Sequence, residues 1–143
     1  MQETVQRTPN YDVNFDLNID LIKEVSKKSE SKAVKSAAAY FRFLKYHSPD
    51  KLWGFSVDDV AFLFGIFAKK HFRLAEIAVT SENQNKGYGS FMLAVLFGEC
   101  AFRGVSVITF RTSQRESSWL WYKKQRAQVV GVKNNDYEME FRL

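Results

Sequence analysis

Between Arg73 and Phe110 the chain passes from strand to helix and back to strand without a linker, and no other stretch restricts its fold as much. Arg73 to Val79 is β-rich, and a short loop, Gln84-Asn85-Lys86-Gly87-Tyr88-Gly89, follows it. Ser90 to Arg103 is then nearly all apolar over more than three turns, as expected of a helix pressed broadly against a sheet. Gly104 ends that helix, and Val105 to Phe110 reads as a strand from its β-branched residues. A helix between two strands of one sheet makes those strands parallel neighbours.

The flanking segments supply the other elements. Tyr11 to Phe15 alternates apolar and polar residues, the mark of a half-buried strand. Asp16 or Asn18 can cap a helix from Ile19 to Lys28, and a second helix is expected from Ser31 to Tyr46, closed off by Pro49. Leu52 to Val57 and Val60 to Phe67 form a hairpin about Asp58-Asp59, and a turn at Lys69-Lys70-His71 leads into the strand from Arg73. After Phe110 a helix is expected over Glu116 to Gln125, then strands over Ala127 to Val132 and Tyr137 to Leu143 about the turn Asn134-Asn135-Asp136.

A chain of 143 residues with these elements and no linker is expected to form one domain, residues 1–143. Most of the 13 phenylalanines fall in strand or helical patterns and are assigned to the core. The single cysteine, Cys100, excludes an internal disulfide; its place on an apolar helix face makes it a packing residue. His47 and His71 are assigned to turns without clustered partners, so no metal site is expected. The amino terminus has no signal-peptide core and no apolar run reaches membrane-spanning length, which sets the expectation of a cytoplasmic protein without membrane contact, monomeric or homodimeric. The net charge of +5 is concentrated in Lys23 to Lys45 and in Arg111 to Arg126. These clusters are either solvated helix faces or surfaces that steer phosphates or acidic partners.

The glycine loop carries the chemistry. The first turn of a helix presents free N–H groups and partial positive charge, so a strand, a glycine loop and a helix start together make an anion site. Lys86 precedes the glycines instead of following them, and Met92 stands where a dinucleotide fingerprint needs a small residue, so neither nucleotide loop fits.

The segment does match Gln/Arg-x-x-Gly-x-Gly/Ala. With the preceding Glu76-Ile77-Ala78-Val79-Thr80 and the later Tyr122-x-Lys124, Gln84 to Ser90 resembles the cofactor motif of the GCN5-related N-acetyltransferase (GNAT) family. The resemblance implies an α/β fold with a mixed, mostly antiparallel sheet of six or seven strands flanked by about four helices. It further implies that acetyl-coenzyme A lies where the fourth and fifth strands splay apart. Gln84, Asn85, Lys86, Gly87, Tyr88, Gly89 and Ser90 would then surround the pyrophosphate, and the backbone of Ile77, Ala78 and Val79 would pair with the pantetheine arm. Two departures stand out: Arg126-Ala127 replaces the Gly-Phe that often follows Tyr-x-Lys, and the Gln114-Arg115 region replaces an upstream asparagine.

Acetyl transfer to an amine calls for a base to take a proton and benefits from an acid at the leaving thiolate. Tyr122 is the candidate acid, or else a tyrosine packed beside the cofactor. Glu76 is the candidate base, with burial raising its pKa, or else a structural or outward-facing strand carboxylate. Trp53, Trp119 and Trp121 near Arg and Lys suggest nucleic-acid stacking, but for Trp119 and Trp121 a shared core-and-cleft role is more economical. In proteins of this resemblance, acceptor contacts come from the first two helices and the loop before the last strand, here Lys23 to Tyr46 and Val132 to Asp136. The function expected is therefore an acetyl-CoA-dependent N-acetyltransferase acting on an unknown amine acceptor, a small molecule or a protein. The alternatives are acetylation of a nucleic-acid-linked amine, such as a charged transfer RNA, and a catalytically silent acetyl-CoA-binding regulatory module.

Overall fold

The computed structural model describes residues 10–29 and 33–143. Seven strands form one sheet: β1 (Val13–Asn14), β2 (Leu52–Val57), β3 (Ala61–Phe67), β4 (His71–Val79), β5 (Val107–Ser113), β6 (Gln128–Lys133) and β7 (Asp136–Arg142). Their spatial order is β1-β2-β3-β4-β5-β7-β6. All neighbours are antiparallel except β4 and β5, the pair joined through a helix. The four helices are α1 (Ile19–Lys27), α2 (Ala37–His47), α3 (Tyr88–Arg103) and α4 (Ser118–Lys124), with a short 3-10 turn at Ala33–Ser36. This is the mixed, mostly antiparallel α/β architecture expected from the sequence.

Each face of the sheet has its own core. On one, Met92, Leu93, Leu96 and Cys100 of α3 pack with Tyr122 of α4 against Phe55, Phe72, Ile108 and Phe141. On the other, Ile22 and Val25 of α1 and Phe41 and Leu44 of α2 cover Phe62, Phe64 and Ala78. Phe55, Phe62, Phe64 and Phe72 are fully buried, each a gain of about 1.5–3 kcal/mol by area removed from water. Three phenylalanines depart from the core assignment: Phe15, Phe43 and Phe102 are exposed. Cys100 is buried as expected, and burial pushes its thiol up to about 11.

Several boundaries move, for identifiable reasons. The first strand shrinks to Val13–Asn14, the only residues of its segment that pair with β2. Asn18 is the cap of α1, its Oδ1 accepting from the Leu21 N–H at 2.9 Å. The second helix begins as the 3-10 turn before α2; the expected start at Ser31 lies outside the described residues. Val57 pairs with Ala61, so the hairpin loop is Asp58-Asp59-Val60 instead of two residues, with both aspartates left-handed at φ 52° and 55°. His71 opens β4 and His47 ends α2, so neither is a turn residue. Val105 belongs to the turn after α3, its N–H donating to Cys100 O, while β5 runs on to Ser113 because β7 pairs along all of it.

One irregularity lies beside the site. Phe64 pairs with Glu76 but Gly65 pairs with Leu74, leaving Ala75 as the extra residue of a bulge in β4. The bulge switches the alternation of the strand. Phe72, Leu74, Ile77 and Val79 all face the α3 side, while Ala75 and Ala78 face α1 and α2. Gly65 permits this crossing: a Cβ there would stand 2.5 Å from Phe72 Cζ and also clash with Arg73 O.

Candidate active site

β4 and β5 pair only from His71–Arg73 to Val107–Thr109 and then separate. The remaining edge of β4, Leu74 to Val79, faces a cleft of about 850 Å³ whose opposite wall is Phe110 to Ser113. The cleft crosses the sheet. From one layer it is lined by Tyr88, Gly89, Trp121 and Tyr122, and from the other by Ser29 and Val34, which flank the segment between α1 and α2.

The glycine loop forms one end of the cleft. Asn85 (φ 62°) and Gly87 (φ 85°) are left-handed, and Gly87 is the N-cap of α3 with no side chain capping the helix. The first-turn N–H groups of α3 are thus left without the side-chain oxygen that occupies most helix starts. Tyr11 Oη donates to Lys86 O at 2.7 Å, its ring lying 4.9 Å from Tyr88 and 4.4 Å from Phe91. Tyr88 Oη donates to Asp58 Oδ2 and the Asp12 N–H donates to Asp58 Oδ1, both at 2.8 Å. Strand β1 and the β2–β3 loop therefore brace the glycine loop from outside. Gly89 lies against Trp121, where a Cβ would stand 2.7 Å from Cζ2 of the indole.

Of the residues singled out in sequence, Glu76, Ile77, Ala78, Val79, Gln84, Asn85, Gly87, Tyr88, Gly89, Ser90 and Tyr122 line this one cleft. Lys86 does not: its Nζ donates to Asn83 Oδ1 at 3.2 Å. The stretch Val132 to Asp136 is also absent from the lining. Trp121 lines the cleft, whereas Trp119 packs on Tyr137 at 5.0 Å, which matches their expected division between cleft and core. Sequence reading overlooked Tyr11 and Asp58, whose partners lie 75 and 30 residues away and leave no local pattern. Arg111, paired with Glu138 at 3.5 Å, was noted only as part of a charge cluster, yet it lines the cleft.

Glu76 and Tyr122 approach the cleft from opposite faces. Glu76 is the cross-strand partner of Phe64, so it shares the face covered by α1 and α2. Tyr122 belongs to the other core, its ring 4.3 Å from Phe110. Burial raises the Glu76 carboxyl to about 7, opposed by a hydrogen bond from the Ile77 amide and reinforced by the charge of Glu116. Burial, and then the charge of Glu76, push the Tyr122 hydroxyl well above the usual phenol range. Among the described residues no group of three or more His, Cys, Asp or Glu is placed to hold a metal, and no helix is long and apolar enough to cross a membrane.

No family model and no curated protein matches the sequence. Solved structures do match the fold over nearly its whole length. The PaiA N-acetyltransferase of Thermoplasma acidophilum in complex with coenzyme A superposes with a TM-score of 0.76 at 14% identity, covering 94% of this chain and 99% of that one. The ribosomal-protein-S18-alanine N-acetyltransferase of Escherichia coli gives 0.76 at 14% identity over 93% of this chain and 94% of that one. An aminoglycoside 6'-N-acetyltransferase complexed with coenzyme A gives 0.68 at 18% identity over 93% and 96%. The fold of this chain is that of the GNAT N-acetyltransferases.

Proposed function

We propose that the chain is an acetyl-CoA-dependent N-acetyltransferase that passes an acetyl group directly to a primary amine. The observation that carries the reading is the splay of β4 from β5: it leaves the edge of Leu74 to Val79 without a β5 partner, beside an α3 amino terminus that no side chain caps. Such an edge suits an amide-bearing arm lying as an added strand, and such a helix start suits a pyrophosphate. The coenzyme A complexes among the similar structures support this assignment.

In this reading the amides from Asn85 to Ser90 hold the pyrophosphate, and the backbone of Ile77, Ala78 and Val79 holds the pantetheine arm. Gln84 and Tyr88 shape the loop, and Lys86 contributes through its carbonyl, fixed by Tyr11, more than through its ammonium. Glu76, with a pKa near neutrality, takes the proton as the amine nitrogen bonds to the acetyl carbon and the carbon–sulfur bond breaks. A β4 amide donates to the carbonyl oxygen as negative charge grows there. Tyr122 holds its proton throughout and stabilises the departing sulfur by donating a hydrogen bond, since a phenol raised this far is a poor source of a free proton. Base and donor stand on opposite faces, so amine and thioester enter from different layers and meet within the sheet.

The test is calorimetric titration with acetyl-CoA followed by thiol release across a panel of amines. Saturable binding with amine-dependent release is the expected outcome. Binding without release under any amine would make the chain a silent acetyl-CoA-binding module, and no binding would remove the reading altogether.

A further inference from the structure

A second hollow, of about 360 Å³, lies between α1 and α2 and is lined by Lys23, Ser26, Lys27, Lys35 and Ala38. Lys23 and Lys27 are four residues apart on α1, a spacing at which like charges on a helix repel. Lys35, from the 3-10 turn, adds a third cation. Among the described residues Glu24 pairs with Lys28 at 3.1 Å, and Lys23, Lys27 and Lys35 have no ion pair. Between the two α1 lysines Ser26 is 94% buried, and its Oγ has no hydrogen-bond partner. A serine oxygen inside a helix ordinarily finds a carbonyl or water, so an unpaired one next to three uncompensated ammonium groups is the signature of a missing acceptor.

The hollow adjoins the cleft. Ser29, which lines the cleft, lies about one helical turn beyond Ser26, and Val34, also in its lining, immediately precedes Lys35. This is the face on which Glu76 stands. We infer that the hollow between α1 and α2 binds an anionic group, a phosphate or carboxylate, carried by the acceptor, so that the acceptor class is amines bearing a second, negatively charged group. The inference rests on the transferase reading for the word acceptor, but the anion site stands on its own geometry.

Two measurements separate the site from the reading. Inorganic phosphate titrated into the protein at fixed ionic strength should shift backbone amide resonances of Ser26, Lys27 and Lys35, apart from any shift at Gly87 to Ser90. The double variant Lys23→Gln/Lys35→Gln should lose the first set and keep the second. In the transfer assay 2-aminoethyl phosphate should exceed 2-aminoethanol in kcat/KM by roughly tenfold, carried by KM, as two partly exposed charge contacts allow. That preference should vanish in the double variant with kcat unchanged. Equal use of both amines without shifts at Ser26 and Lys35 overturns the anion site and leaves the transferase reading standing. Shifts that vanish in the variant, with neither amine acetylated, support the anion site and overturn the transferase reading.

Discussion

Gly89 in the first turn of α3 touches the indole of Trp121 in α4 so closely that a single added carbon would stand 2.7 Å from it. Alanine favours a helix over glycine by about 1 kcal/mol, but overpacking costs about 1–3 kcal/mol, so the contact outweighs propensity. Gly89→Ala should therefore lower stability in urea unfolding by about 1 kcal/mol while weakening acetyl-CoA binding. In a Trp121→Ala background the same change should stabilise instead, because only the propensity remains. Destabilisation in both backgrounds would show that the indole is not what holds position 89 to glycine.

Arg126 ends α4 in the left-handed region at φ 74°, the position where sequences of this resemblance often carry glycine. The turn survives the departure, with Arg126 N–H donating to Lys123 O at 2.9 Å and Ala127 N–H to Tyr122 O at 3.0 Å. A residue with a Cβ pays about 1–2 kcal/mol there, partly offset by the greater entropy glycine loses on folding. Arg126→Gly should raise stability by roughly 0.5–1 kcal/mol, read as a higher urea midpoint with an unchanged slope. A lower midpoint would mean that the arginine side chain contributes more than its backbone strain costs.

The bracing of the glycine loop makes a graded prediction. Tyr11→Phe removes one hydrogen bond to Lys86 O and leaves the ring contacts, a loss of about 0.5–1.5 kcal/mol. Asp58→Ala removes two acceptor contacts and places alanine at φ 52°, and should cost about 2–4 kcal/mol by the same scale. Asp58→Asn, which tolerates the left-handed backbone, should fall between them. If the loop is the donor site, acetyl-CoA affinity should follow the same order, Tyr11→Phe the mildest; calorimetry on the three variants reads it.

These braces also mark where sequence reading stopped. The strand, loop and helix from Arg73 to Arg103 were legible because period and glycine placement are local. The cleft that follows from them was legible only through the parallel pairing that a crossover helix imposes. The bulge at Ala75 was not, because it depends on how Gly65 meets Phe72 across the sheet, and unbroken alternation would put Leu74 and Glu76 on one face. Likewise Val105 has the composition of a strand residue, yet the closing turn of α3 claims its amide. Lys86 looked like a phosphate ligand from its place between Asn85 and Gly87, but the nearby Asn83 takes its ammonium. In each case a partner distant in sequence or a side-chain direction decided the outcome, and neither is written in local periodicity.

Glu76 carries two consequences for pH. Its folded pKa is raised from 4.5 to about 7, so between those values the unfolded chain releases a proton that the native protein keeps. The unfolded state then binds fewer protons, and stability from this group falls as pH rises through that window and levels off above it. Glu76→Gln should flatten that slope in urea unfolding series from about pH 4.5 to 7. As the base, the same carboxyl must be ionised, so kcat/KM should climb with pH to a plateau with an inflection near 7 that Glu76→Gln removes along with most activity. Stability and activity would thus move in opposite directions over one titration. A flattened stability slope with an unchanged activity profile would leave Glu76 a buried structural acid and assign the base elsewhere.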